Sequence, residues 1–336
     1  MTRGRAIAAV VAALLAAAVA FAVVHLRTSD AAGSPANSTA PAPVSLVTPH
    51  MPTHPQRLLF TRAGGGLQVV DLTTRAIRPI PVPGAFGTTL GRGAWSPDGT
   101  EIAFQANSAH GDHIEFAQAD GSHVVDLTPT PDGKLNIEPA WSPDGGSIVF
   151  ASDRAGARTA IWTVRLNDRH LTQLTDGSVH DAFPSWSPDG KHIAFVRIVG
   201  DHSTTAAASL MLMNADGSHA HPLTPLAQAV VTVQPAWSPD GRLIAYADGT
   251  VDAMQIFTIA PDGTAKTQVS HDAGGHYDPS FSPDGSLIAF ARFTAPGTGL
   301  WVMKTDGTHA TQFTDATKGP LPNPAGRLDG QPEWQP

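Results

Sequence analysis

From Arg57 onward, short apolar runs alternate with polar turns rich in glycine and proline, and no run shows helical periodicity. Ser147-Ile148-Val149-Phe150 is one such run and Ala160-Ile161-Trp162-Thr163-Val164 another. His170–Thr175 then alternates apolar and polar positions as a half-buried strand does. Ahead of these, Pro139-Ala140-Trp141-Ser142 leads into the turn Ser142-Pro143-Asp144-Gly145. There, proline presets the backbone at the second turn position, and glycine takes the left-handed conformation that closes a tight hairpin. The pattern predicts four short antiparallel strands joined by turns.

The same unit recurs along most of the chain. Trp-Ser-Pro-Asp-Gly occupies residues 95–99, 141–145, 186–190 and 237–241, and Phe281-Ser282-Pro283-Asp284-Gly285 differs only in its aromatic. Trp334 ends the series, and successive aromatics are 44 to 53 residues apart. The repeated positions are therefore Trp95, Asp98 and Gly99; Trp141, Asp144 and Gly145; Trp186, Asp189 and Gly190; Trp237, Asp240 and Gly241; Phe281, Asp284 and Gly285; and Trp334. A second strand follows each copy, as in Ile102-Ala103-Phe104 and Ile288-Ala289-Phe290. Asp-Gly-Ser or Asp-Gly-Thr, as at 120–122 and 306–308, separates third from fourth strands. Four short strands every ~45 residues make a propeller blade. Arg57–Phe60 reads as a second strand, Gly66–Val70 and Ile77–Ile80 as a third and fourth, and Pro332-Glu333-Trp334 as a first. The expected fold is all-β, a six-bladed β-propeller in which one blade is closed by strands from both ends of residues 57–336.

Residues 1–56 differ. Arg3 and Arg5 precede an uninterrupted apolar stretch, Ala6–Val24, with His25 and Arg27 after it. Nineteen apolar residues suffice to span a bilayer as a helix. Ala18-Val19-Ala20 also suits cleavage of a secretory signal. Residues 1–27 are thus expected to be a signal peptide or a signal anchor, with everything after them outside the cytoplasm. Residues 28–56, rich in Ala, Ser, Thr and Pro, read as a disordered linker.

Composition narrows the partners. With 21 Lys+Arg against 29 Asp+Glu the chain carries a formal charge of −8, and no basic run follows the first residues, which argues against nucleic acid. The absence of cysteine excludes disulfides, thiolate metal sites and a cysteine nucleophile. The repeated aspartates are expected to bond their own turn backbones rather than a metal. The repeated tryptophans are expected to pack between blades.

Propeller topology places both regular turns on one face and the unequal loops on the other. Among these loops are Gln105–His113, Ser152–Arg158, Thr175–Pro184 and Val196–Ser209. Binding is expected on that variable face. Residues three positions before each motif aromatic should lie near the start of the innermost strands and ring the channel: Arg92, Glu138, Phe183, Gln234, Asp278 and Gln331. Asn136, His180, Asp181, His276 and Tyr277 stand nearby. Such a mouth could bind a polar ligand, a peptide end or a cation. The closest histidine pairs, His110 with His113 and His219 with His221, match no metal-ligand spacing. No cofactor, metal site or catalytic residue is expected.

Pro-x-Trp-Ser-Pro-Asp-Gly followed by Ile-Ala-Phe resembles the repeat of the TolB propeller family, over residues 57–336. The resemblance implies six blades, export, and a binding role in the cell envelope. TolB proteins act in the Tol–Pal system, binding the lipoprotein Pal through the propeller. They carry an α/β domain before it, where this sequence has the apolar segment and linker. Related propellers also precede hydrolase domains in prolyl-oligopeptidase-like peptidases, but no Gly-x-Ser-x-Gly elbow occurs here. The expected function is a monomeric, non-enzymatic extracytoplasmic propeller that binds a protein or cell-envelope component, held at the membrane if residues 1–27 are retained. Two alternatives are a lyase or hydrolase using His, Asp and Glu at the channel mouth, and a sensory or accessory ectodomain of a membrane-bound system.

Overall fold

Six four-stranded antiparallel sheets form the described part of the chain, in a computed structural model. The described residues are 56–62, 66–83, 85, 87, 89–108, 111–129, 133–200, 207–228, 231–250, 253–294, 297–314 and 329–336. The expected N-terminal helix and nearly all of the linker lie outside them. Blade 1 pairs Asp329–Trp334 with Arg57–Arg62, followed by Gly66–Asp71 and Ile77–Pro79. Blade 2 comprises Thr89–Trp95, Glu101–Ser108, Gly111–Gln118 and Val125–Asp126. Blade 3 comprises Asn136–Trp141, Ser147–Ser152, Ala160–Arg165 and Leu171–Gln173. The innermost strands of blades 4, 5 and 6 are His180–Trp186, Val231–Trp237 and Gly275–Phe281. Blade 4 carries an added short strand, Ala227–Gln228, against Ala207–Asn214. The expected propeller is present, including the blade joined from residues distant in sequence.

Each motif turn is a self-contained hydrogen-bonded unit. The serine hydroxyl donates to the aspartate two residues on, at 2.5–2.7 Å in all five copies. The same oxygen accepts the amide five residues ahead, at 2.9 Å, and pins the start of the second strand. The closing glycines have φ between +68° and +71°, where a Cβ is strained. The turn glycine between third and fourth strands has a second duty. At Gly121 (φ +86°) an added Cβ would stand 1.8 Å from the Pro81 carbonyl oxygen, on the outer edge of the preceding blade.

Blades bury their faces against one another. The aromatic of each second strand, Phe60, Phe104, Phe150, Phe195, Tyr246 or Phe290, is fully buried. Apolar clusters cross every boundary. Leu59 and Leu67 of blade 1 pack with Trp95, Ile102 and Phe104 of blade 2, and Ala289 and Leu300 of blade 6 pack with Leu58, Phe60 and Trp334 of blade 1. As expected, the motif tryptophans sit in these layers. Three also donate across them: Trp141 Nε1 to Ala94 O at 3.2 Å, Trp237 Nε1 to Ser185 O at 3.2 Å, and Trp334 Nε1 to Ser280 O at 3.0 Å.

Two expectations need correction. The segments Gln105–His113 and Val196–Ser209 are not wholly loops, because their second and third strands run on to Ser108 and Val199 and resume at Gly111 and Ala207. The residues three before each aromatic lie within the innermost strands, not at their start. Every innermost strand breaks register there, between Leu90 and Gly93, Ile137 and Ala140, Ala182 and Ser185, Val233 and Ala236, and Tyr277 and Ser280. The closing strand does so opposite Leu59–Thr61. In five of the six strands proline is the reason. Pro139, Pro184, Pro235, Pro279 and Pro332 cannot donate to a ladder and force a bulge. Glu138, Phe183, Gln234, Asp278 and Gln331 before them adopt φ of +53° to +60°. Arg92, followed by Gly93, does not share this conformation.

Trp334 is 4% exposed and ties the closing strand to blade 6. Trp334→Ala is expected to cost about 3–5 kcal/mol in denaturant unfolding. Trp186→Ala, at a half-buried indole with no Nε1 partner among the described residues, should cost clearly less. Equal losses would show that ring closure carries no special weight.

Candidate functional site

The six bulges form a waist along the central channel. Here the side chains reach from blade to blade. Glu138 Oε2 accepts the Phe183 amide at 2.6 Å, and Asp278 Oδ2 accepts the Gln331 amide at 2.9 Å. Each carboxylate thus satisfies a backbone N–H that the next blade's bulge has removed from its ladder. Glu138 and Asp278 belong to blades three apart, on opposite sides of the ring. Burial pushes Glu138 up to about 7 and Asp278 up to about 6, partly offset by these amides and by the positive charge of Arg92. Burial also raises Glu333, against the same Arg92. Arg92 is the cation that all three carboxylates feel. Gln234, 1% exposed, has neither amide atom hydrogen-bonded among the described residues, and Asp278 Oδ1 is likewise unpartnered.

On one side of the waist lies a cavity of about 210 Å³. Its wall is built by the motif: Trp95, Trp141, Trp186, Trp237 and Phe281, with the turn prolines Pro97, Pro188 and Pro239 at the rim. Arg92 and Glu333, both half-buried, lie at its inner end. This funnel opens on the face of the regular turns, at the opposite end of the channel from the variable loops. The repeated tryptophans therefore pack between blades and line the central cavity at once.

The remaining sequence-derived candidates are separated among blades. Asn136, fully buried, donates to Asp112 O at 2.8 Å and accepts from Ser152 and Arg154 at 2.9 and 2.6 Å. Asp181 is held by Arg197 through two bonds of 2.8 and 2.9 Å. The His180 ring meets the Thr159 amide and hydroxyl at 3.2 Å. His276 is buried against Phe290, and burial lowers its pKa, with Asp272 at 3.9 Å opposing the shift. Tyr277 is half-buried beside it. None of these residues lines the funnel, and Arg92 alone of the candidates does. Among the described residues no three His, Cys, Asp or Glu side chains are placed to hold a metal ion. His113 pairs with Asp126 at 2.7 Å, His219 sits in an exposed turn, and His221 begins the exposed outer strand of blade 4. His110 lies outside the described residues.

Glu333 is the residue that sequence reasoning missed. It precedes Trp334 and lines the cavity only because the closing strand enters the ring beside blade 2. The proline two positions before five of the six aromatics, replaced by Gly93 before Trp95, was the available signal for the bulges, since proline inside a strand marks one.

The raised waist carboxyls set a pH dependence. Glu138 binds a proton more tightly folded than unfolded, so its contribution is fully present below about 4.5 and is lost as pH rises through about 7. Its shift is worth about 3 kcal/mol at ~1.4 kcal/mol per pK unit. Thermal unfolding followed from pH 4.5 to 8 should show stability falling over this window. Glu138→Gln, which keeps an acceptor for the Phe183 amide, should flatten the fall. An unchanged slope in the variant would exclude Glu138 as its source.

A family model described as PD40, TolB beta propeller domain, matches residues 9–200 and 193–331. An uncharacterized protein of Agrobacterium fabrum is 28% identical over 156 residues, 45% of this chain, and the match spans about half (52%) of that relative's length. Among solved structures, a protein described as TolB from Agrobacterium tumefaciens superposes with a TM-score of 0.63 at 20% identity, covering 78% of this chain and 89% of the other. TolB from Acinetobacter baumannii gives 0.63 at 20% identity, covering 84% and 67%. The fold extends to enzymes as well: a puromycin hydrolase matches with a TM-score of 0.56 at 17% identity over 78% of this chain and 45% of its own. At these identities the structural likeness establishes fold alone. With the family model matching most of the chain, onto six blades built by its own Trp-Ser-Pro-Asp-Gly repeats, this protein belongs to the TolB β-propeller family.

Proposed function

We propose that this chain is an extracytoplasmic, non-enzymatic propeller that binds a protein or cell-envelope component through the funnel on its turn face. The observation that carries this reading is the funnel itself: five motif aromatics and three prolines around a central depression with Arg92 and Glu333 at its end. Tryptophan and arginine in a concave, largely desolvated setting are the residues that dominate binding energy at protein interfaces. Size favours a partner's side chain over a whole metabolite. The cavity holds about 210 Å³, below the ~300–1,000 Å³ usual for small-molecule sites. Export is supported by Arg3 and Arg5 ahead of the apolar stretch Ala6–Val24.

Site-specific photo-cross-linking of the full-length protein in cells tests this. A photoreactive residue at Lys191, on the exposed rim next to the Pro188 turn, is expected to give discrete adducts. One at Arg158, exposed on the variable face, is not. The Lys191 adducts should weaken in Trp186→Ala. Adducts confined to Arg158, or indifferent to Trp186, would overturn the assignment of the face.

A further inference from the structure

We propose that the turn-face funnel receives a positively charged side chain, a lysine or an arginine, carried on an exposed segment of the bound partner. The inference rests on the reading of the funnel as the docking site and adds the chemistry of what enters it.

Charge is arranged in layers along the approach. Asp98, Asp144, Asp189, Asp240 and Asp284 each follow a motif-turn proline; three of these prolines line the cavity, so the aspartates lie on the face where it opens. The turn serine's hydroxyl, then a backbone amide, holds the first four below the usual carboxylate range. In Asp284 burial works the other way, but bonds from Ser282 and Ser286 still leave it lowered. These bonds are intrinsic to the fold, so the rim stays ionised. Further out on the same face, the Asp-Gly-Ser and Asp-Gly-Thr turns add Asp120, Asp216, Asp262 and Asp306, also lowered by their neighbouring hydroxyls. Among the described residues, Lys191 and Arg242 answer only two of these carboxylates, at 3.7 and 3.8 Å and on well-exposed side chains. Contacts of that kind are worth little in water.

The inner end continues the pattern. Glu333 lines the cavity, and Glu138 and Asp278 stand at the waist behind it. Three carboxylates therefore face the single guanidinium of Arg92. Asp278 Oδ1 is a buried acceptor without a partner among the described residues, and both side-chain amide atoms of Gln234 are likewise unpartnered, although neither residue lines the cavity. Between rim and waist, the wall is aromatic, and indole faces attract cations, more strongly when water is excluded. The aliphatic stem of a lysine or arginine would lie against tryptophan and proline while its head meets Glu333. An anionic side chain would pass the acidic rim only to meet one already compensated arginine. A neutral one would gain nothing from the acidic rim.

Capped peptides titrated into the full-length protein decide the matter: acetyl-Gly-Gly-Lys-Gly-Gly-amide, and the same peptide with norleucine or glutamate at the centre. Binding is read by calorimetry and by fluorescence of the funnel tryptophans. The lysine peptide is expected to bind at least tenfold more tightly than the norleucine peptide, and the glutamate peptide more weakly than both. The lysine advantage should shrink in 0.5 M salt, which screens the exposed rim, and should fall severalfold in Glu333→Gln. The comparison on the unaltered protein stands whether or not that variant folds. Equal affinity for lysine and norleucine, preference for glutamate, or no binding of any peptide would each overturn the proposal. Cross-linking at Lys191 separates the two levels of failure. Adducts that persist and resist competition by the lysine peptide leave the docking face standing without the cationic group, whereas absence of adducts removes the face itself.

Discussion

The structure depends on apolar burial between blades that no blade can achieve alone. A four-stranded sheet of this size has two faces to cover, and its second-strand aromatic, such as Phe104 or Phe290, is fully buried only because the neighbouring blade supplies the other half of the layer. The motif tryptophan joins that layer and, at Trp141, Trp237 and Trp334, adds a hydrogen bond to a carbonyl of the blade before. Packing of this kind propagates from blade to blade and has no natural end. It is completed by pairing Leu58 with Trp334 and Leu59 with Glu333, which brings the outermost parts of residues 57–336 into one sheet and closes the ring, so that the inner edge of every sheet is sheltered in the channel.

Ring closure creates a second problem at the axis, where six strands converge. Bulges in the innermost strands, five of them at a proline, resolve it. They turn five residues into the left-handed region, at a cost of ~1–2 kcal/mol each for a side chain with a Cβ, and the displaced amides must find acceptors. Glu138 and Asp278 serve two of them across blade boundaries. The same carboxyls are desolvated by that role, which raises their pKa values, an effect that the charge of Arg92 partly offsets. Structural need and unusual electrostatics at the waist share one origin.

The two faces consequently differ in kind. On the variable side, the polar residues at the starts of the innermost strands are occupied with local partners, as Asp181 is with Arg197 and Asn136 with Arg154. On the turn side, repetition has an effect that one turn would not. Each Ser-Pro-Asp-Gly turn uses its aspartate to hold its own hairpin, and five of them set in a ring place ionised carboxylates around a single aromatic depression. A feature that is purely structural in one blade becomes a field when five blades repeat it.

Much of this was legible in residue order. Short alternating runs, the period of the Trp-Ser-Pro-Asp-Gly copies and the strand-like segment at Pro332–Trp334 together specify six blades and their closure, because strand pairing and hairpin turns are governed by local spacing. The hydrogen bonding of the turn aspartates was legible for the same reason. The site was not. Glu333 and Arg92 are 241 positions apart in sequence and meet only at the axis, where the closing strand lies beside blade 2. Asn136, Asp181 and His276 looked like a polar rim, yet they are engaged by Asp112, Ser152 and Arg154, by Arg197, and by Phe290 rather than by one another. Which side chains converge on a propeller axis is set by the bulge that rotates each inner strand and by the rotation between blades. Local pattern therefore determined what each blade is, and only the closed ring decided which of its residues face one another.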